Sequence, residues 1–293
     1  MELGYVGLGN MGGALNRSLM RAHKMRVFDL NPEAMSRFAD AGAQATQDAK
    51  SLGAECDLVM TCLPTSNEVR AAIFGENGLA AGMKPGSIIA DMTTGDPNAT
   101  RAMAKDLEAQ GITLIDAPVS GGPHGADAGT IAIMIGAPDD LFAKVKPIFE
   151  VISPNVFHCG GIGAGHVMKL VNNVISAGVR TITLEAVAMG VKSGLEPQAC
   201  AEVLHKGSAR SYTTEITLPR LVEGNTAANF TLGLMHKDVR LATELGVASG
   251  SPMLMSGMVR EIFQTALNEF GGDQDVNTVV QLFERQSNVK ITP

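Results

Sequence analysis

The sequence contains no cysteine pair at zinc or redox spacing: Cys56, Cys62, Cys159 and Cys200 form no C-x-x-C. A chain of 293 residues can build a core without disulfide staples, so all four are expected to be reduced. The six histidines, His23, His124, His158, His166, His205 and His236, include no H-x-x-H or H-x-x-x-H pair, and no metal site is expected. With a formal charge of -7 and no Lys/Arg block, the chain offers nothing to hold nucleic acid or an anionic membrane surface. Uninterrupted apolar runs fall short of the roughly 18 residues of a membrane span. Met1 leads directly into a strand-like segment rather than a signal peptide, so the expected location is the cytoplasm. There is no internal repeat and no low-complexity tract.

Hydrophobic residues make up 45% and charged residues 18%, enough apolar material for a packed core and no signature of disorder. The length suits two domains. Short β-rich apolar runs recur at Leu3–Gly7, Arg26–Leu30, Asp57–Leu63, Ser87–Met92, Thr113–Ala117 and Thr130–Gly136, with helix-like stretches between the early ones. That alternation predicts an α/β fold with a parallel, doubly wound sheet. After Cys159-Gly160-Gly161-Ile162-Gly163-Ala164-Gly165 the period becomes helical and stays so. The expected domains are therefore 1-162 and an all-α 163-293. From about 166 to 192, Val167, Leu170, Val171, Val174, Ile175, Val179 and Ile182 repeat at helical spacing, predicting a long interdomain helix. Further helices are expected to start at Pro197 and at Pro252, the latter behind Ser251 as a cap. Met253, Met255 and Met258 read as helix packing.

Gly7-Leu8-Gly9-Asn10-Met11-Gly12 is G-x-G-x-x-G, placed directly after a strand-like run and before a helix-like one. In that context the first glycine permits a tight turn, the second lets the backbone approach a pyrophosphate, and the third lets helix and strand pack closely. The helix start then offers free N–H groups to phosphate. Together these features predict a Rossmann-type dinucleotide site. Asp29 ends the second strand 20 residues after Gly9, where an acid bonds the adenosine ribose hydroxyls. It would repel a 2′-phosphate, and Leu30, Asn31 and Pro32 follow with no arginine, so NAD is favoured over NADP. Asn31 before Pro32 is better placed than Asp29 to cap a helix. Later strand ends should also face the cofactor: Cys62-Leu63-Pro64, and Asp91-Met92-Thr93-Thr94, where Thr94 could bond the nicotinamide or ribose.

Ser120-Gly121-Gly122, behind Asp116–Val119, offers successive N–H groups and a hydroxyl with no side chains in the way, which suits an anion. On the long helix, Lys169 has Asn172 and Asn173 at i+3 and i+4. A lysine and two amides on one face of an otherwise apolar helix suit a cleft between domains better than a core or a plain surface.

These motifs occur in one order: Gly4–Gly12, Asp116–Gly122, Gly125-Ala126 with Gly129-Thr130, Gly163–Gly165 leading to Lys169-Leu170-Val171-Asn172-Asn173, and His236-Lys237-Asp238. Over nearly its whole length the chain resembles the β-hydroxyacid dehydrogenase family, the 3-hydroxyisobutyrate dehydrogenase-like enzymes. The resemblance implies an NAD-dependent oxidoreductase interconverting a small hydroxy acid, such as a 3-hydroxy acid, and its semialdehyde. It further implies that Lys169 is the acid/base, that Ser120, Gly121 and Gly122 hold the substrate carboxylate, and that Asn173, with Asn172 beside it, orients substrate. Lys237 would lie near both nicotinamide and substrate, and the assembly would be a homodimer or homotetramer. A lysine titrates ordinarily near about 10.4, so its ammonium can donate a proton as a carbonyl is reduced. 6-Phosphogluconate dehydrogenase has a histidine where this chain has Asn172, and imine reductases replace the lysine; both departures favour hydroxy-acid chemistry. The other readings are a catalytically silent nicotinamide-binding module and a reductase of a sulfonate or imine. Arg210 could meet a second acidic group of the substrate, although an exposed loop arginine is the commoner case. His124, beside the glycine loop, is left open in the same way.

Overall fold

A computed structural model describes all 293 residues, which divide into two compact units, Met1–Lys169 and Leu170–Pro293. The first unit begins β1 (Leu3–Val6), α1 (Asn10–Met20), β2 (Met25–Phe28), α2 (Pro32–Asp40), β3 (Gln44–Ala45), α3 (Ala49–Glu55), β4 (Leu58–Thr61) and α4 (Ser66–Phe74). It continues through β5 (Ile88–Asp91), α5 (Pro97–Glu108), β6 (Thr113–Asp116), β7 (Val119–Ser120), α6 (Gly122–Asp127), β8 (Ala132–Gly136), α7 (Asp139–Glu150) and β9 (Val156–Gly160). All belong to one sheet in the order β3-β2-β1-β4-β5-β6-β8-β7, with β9 beside β8. Strands β3 to β6 are parallel, and their short buried runs pack into two apolar clusters.

The sheet departs from an all-parallel reading at its far end, where β8 runs antiparallel to β6 and β7. Only a six-residue helix, α6, and short loops separate these strands, too little chain for a parallel crossover. Strands β3, β7 and β9 were not foreseen: the first two have two residues each, and β9 carries exposed Phe157 and His158 in place of an apolar run.

Register decides where chemistry gathers. Val6 pairs with Phe28 and with Thr61, Thr61 with Asp91, and Asp91 with Asp116, so five strand ends form one row across the sheet. Gly7, Asp29 and Cys62 begin the next row, where the strand order turns between β1 and β4. In open parallel sheets ligands bind at that edge.

The long helix α8 (Ala164–Lys192) starts two residues earlier than its periodicity predicts. Averaged over an 18-residue window its hydropathy is 1.4, so by length and composition it could cross a membrane, although polar residues interrupt its apolar runs. Leu170, Ala177, Leu184, Val187 and Ala188 are buried instead, most of them in the core of the helical unit.

That unit continues with α9 (Pro197–Lys206), α10 (Leu218–Val222), α11 (Leu232–Ser249), α12 (Leu254–Phe270) and α13 (Val280–Ser287). Pro197 opens α9 as expected. Pro252 does not open α12: Gly250 takes a left-handed φ of 74° to close α11, and the chain needs Pro252 and Met253 to turn before helix resumes at Leu254. Ser251 therefore caps nothing. Met253 packs against Gly246, but Met255 and Met258 are exposed, because α12 buries Val259, Phe263 and Ala266 instead. Arg180 is buried among the helices and donates to Asn277, and burial lowers it to about 10.

Candidate active site

Local chemistry builds the first part of the site. Gly7 takes φ 95°, and a Cβ there would lie 2.3 Å from the Cys62 carbonyl oxygen. At Gly12 a Cβ would lie 2.0 Å from the Gly7 oxygen, so the turn closes only with glycine at both places. Around Gly9 there is open space. Helix α1 has Gly9 at its N-cap, no side-chain cap and no acid in its first turn. By contrast α2, α3, α4 and α5 are capped by Asn31, Asp48, Thr65 and Asp96. Exposed Asn10 and half-buried Met11 begin the helix whose uncapped N–H groups suit phosphate oxygens.

Asp29 lies beside this loop. Its Oδ2 accepts from Leu8 N at 2.5 Å and its Oδ1 from Asn31 N at 2.7 Å, while Asn31 does the capping of α2. The carboxylate is thus held at the turn with lone pairs remaining for ribose hydroxyls. Cradle, uncapped helix and positioned acid fit a dinucleotide.

Half-buried Leu63 donates its N–H to Thr93 Oγ1 at 3.0 Å, and Pro64 is exposed. Thr93 also donates its N–H to Asp91 Oδ1 at 3.0 Å, so the residue tied into the sheet edge is Thr93, with half-buried Thr94 next to it. Thr61 Oγ1 donates to the same Asp91 oxygen at 3.0 Å.

Asp116 caps the start of α8 from across the unit: Oδ1 accepts from Gly163 N at 2.6 Å and Oδ2 from His166 N at 2.7 Å. Burial pushes its carboxyl above the ordinary aspartate value, against the opposing pull of His166 and these N–H bonds. The His166 ring is fully buried. Its Nε2 lies 2.9 Å from the Thr93 carbonyl oxygen, which can only accept, and its Nδ1 lies 2.9 Å from Thr100 Oγ1. Asp91 Oδ2 makes no hydrogen bond and lies 3.9 Å from Nε2. Sequence reasoning gave His166 no role and placed Asp91 only at a strand end, without the pairing of the two. The only signal was a polar pair at strand end and helix start, 75 residues apart.

One turn beyond His166, Lys169 is 7% exposed, on the helix start that Asp116 and His166 secure. Ser120, half-buried, ends β7, and Gly121 and Gly122 follow exposed at φ 137° and 67°, conformations open to glycine. Exposed His124 lies in α6 just after them.

In the helical unit, Asn172 Nδ2 donates to Asn173 Oδ1 at 2.9 Å, and Asn173 Nδ2 to Asp238 Oδ2 at 2.6 Å. Lys237 Nζ lies 3.3 Å from Asp238 Oδ1. Side chains at this pair are 13% and 1% exposed, so the two charges meet in a buried pair rather than at the surface. Asp238 is the partner that sequence reading did not single out. Arg210 pairs with Glu215 on the surface at 2.9 Å.

Residues 2–161 match the NAD binding domain of 6-phosphogluconate dehydrogenase, and 163–283 match the family described as NAD-binding of NADP-dependent 3-hydroxyisobutyrate dehydrogenase. The chain is 34% identical to 2-(hydroxymethyl)glutarate dehydrogenase of Eubacterium barkeri, covering 100% of this chain and 98% of that one. The chain belongs to the β-hydroxyacid dehydrogenase family. Another member, the NAD-dependent L-serine dehydrogenase of Pseudomonas aeruginosa, is 33% identical over 97% of this chain and 98% of its own length. Among solved structures, Mycobacterium tuberculosis 3-hydroxyisobutyrate dehydrogenase with L-serine superposes with a TM-score of 0.87 at 28% identity, covering 96% of this chain and 99% of that one. This β-hydroxyacid dehydrogenase is accordingly an NAD-dependent hydroxyacid dehydrogenase.

Proposed function

We propose that this enzyme oxidises a short 3-hydroxy carboxylate to its semialdehyde, and runs the reverse reduction, with Lys169 as the acid/base. Bound NAD supplies the hydride acceptor at its nicotinamide ring. The observation that carries the reading is a lysine more than nine-tenths buried on a helix start fixed by two carboxylate–N–H bonds. Lys169 takes the hydroxyl proton as the carbonyl forms and returns it in reduction. The Ser120 hydroxyl and the N–H groups of Gly121 and Gly122 hold the carboxylate. Asn172, Asn173 and Lys237 orient the substrate, with Asp238 fixing the amide and the ammonium. Thr94 joins Leu63 and Pro64 on the cofactor side.

The test is a panel of 3-hydroxyisobutyrate, L-serine, 2-(hydroxymethyl)glutarate and a sulfonate analogue, assayed with NAD. Turnover of a carboxylate but not the sulfonate is expected. Lys169→Ala should lower kcat by at least about two orders of magnitude while NAD still binds. Full activity in that variant would remove the lysine from its role.

A homo-oligomer is part of the same proposal, because Val171, Ile175, Ile182 and Met189 expose apolar surface along α8 at helical spacing. Light scattering that finds only monomer at micromolar concentration would overturn it.

A further inference from the structure

The strand after the glycine loop ends in Asp29, and the next residue, where a cation could meet a 2′-phosphate, is Leu30, apolar and 91% exposed. The fold brings a cation to the same place from another element. Arg37, on α2, donates from Nη2 to the Leu8 carbonyl oxygen at 3.4 Å, while Asp29 accepts from the N–H of that same Leu8. Carboxylate and guanidinium thus bracket one residue of the cofactor loop without forming an ion pair with each other.

The guanidinium is held in place. Its carbon lies 5.6 Å from the centre of the Phe38 ring, and Phe38 is buried against α1. That packing depends on Gly13: a Cβ there would come within 3.0 Å of the Leu8 oxygen and 3.4 Å of Phe38 Cζ. Arg17, Arg26 and Arg70 of this unit are each neutralised by a carboxylate, whereas Arg37, like Arg21 and Arg101, has none, and of the three only Arg37 lies at the glycine loop, with its Nε and Nη1 donating to no protein atom. An exposed, positioned guanidinium with spare donors matches the geometry of phosphate recognition.

We propose that Arg37 reads the 2′-phosphate of NADP, so that the site admits both dinucleotides and the balance of Asp29 against Arg37 sets the preference. The inference rests on the assignment of the glycine loop as the dinucleotide site. Asp29 bonds the free 2′-hydroxyl of NAD and repels a phosphate there, whereas Arg37 acts only on the phosphate.

Isothermal titration of the full chain with NAD, NADP, 5′-AMP and 2′,5′-ADP tests it. Arg37→Gln should raise the ratio of the NADP to the NAD dissociation constant by about tenfold, with a parallel rise for 2′,5′-ADP over 5′-AMP, the scale of a lost charge-assisted hydrogen bond. Asp29→Asn should lower the same ratio by about tenfold, and adding Arg37→Gln should reverse that gain. Ratios unmoved by Arg37→Gln in both backgrounds overturn the proposal while leaving the cofactor site standing. Wild-type protein that binds neither NAD nor 5′-AMP overturns the site assignment as well. Circular dichroism checks the fold of each variant, and the exposed Arg37 side chain should be replaceable without disturbing it.

Discussion

Two buried polar clusters, one in each unit, are built on different principles. In the first, Asp116 and Asp91 receive main-chain N–H groups of Gly163, His166 and Thr93, so their positions follow from the path of the backbone. In the second, Asn172, Asn173, Asp238 and Lys237 are joined side chain to side chain between α8 and α11. A backbone-anchored cluster is stiff, and its loss should appear as stability. A side-chain cluster can adjust its rotamers, and its loss should appear first in function.

Asp116→Ala should give the largest effect on folding, about 3 kcal/mol or more in urea unfolding, because two buried N–H groups of the α8 start lose their acceptor. A loss under about 1 kcal/mol would show that the helix start is held by other means. His166→Leu comes next, at about 2 kcal/mol, since it leaves the Thr93 carbonyl and the Thr100 hydroxyl without their ring partner. In the helical cluster the order should invert. Asp238→Asn keeps the shape and removes the charge that Lys237 faces, so kcat/KM should fall by about tenfold. A variant that unfolds with full residual activity per folded molecule would erase the distinction.

The smallest effect is in pH. The folded-state value of Asp116 lies above its unfolded one, so this group's contribution is fully present below the unfolded value of about 3.8 and is lost as pH rises through the raised folded value. Relative to Asp116→Asn, the wild type should therefore lose stability on going upward through the mildly acidic range. Thermal unfolding of the two proteins in parallel measures the sign, and a difference that widens in favour of the wild type over that range contradicts it.

Much of the nucleotide-binding unit was legible because its signals are local. Gly7, Gly9 and Gly12 make one turn, Asp29 lies a fixed distance along the same β-α-β stretch, and Asn31 with Pro32 announces the next helix. The candidate site was legible only as separate pieces. Lys169 stood out as a lysine on an apolar helix, and Lys237 by resemblance, but the motif that includes Asp238 gave no sign that this carboxylate bonds Asn173. Thr93 and Thr94 both stand at the strand end, and only the folded structure shows that Thr93 is tied to Leu63 and Asp91. Pro252 and Ser251 misled for a related reason: capping chemistry is necessary at a helix start, but the left-handed Gly250 determines how much chain the turn consumes.

The sequence by itself determined the glycine loop, the acid after the second strand, the change from strand to helix period after residue 162, and the burial-prone length of α8. Each depends on neighbours within a turn or a strand, whose steric and hydrogen-bond rules operate before any distant contact forms. Tertiary structure alone decided that Asp91 and Asp116 share a row, that His166 lies against them, that Asp238 meets Asn173, and that Arg37 reaches the loop at Leu8. These partners lie from 25 to 75 residues apart, and only sheet register and helix packing bring them together.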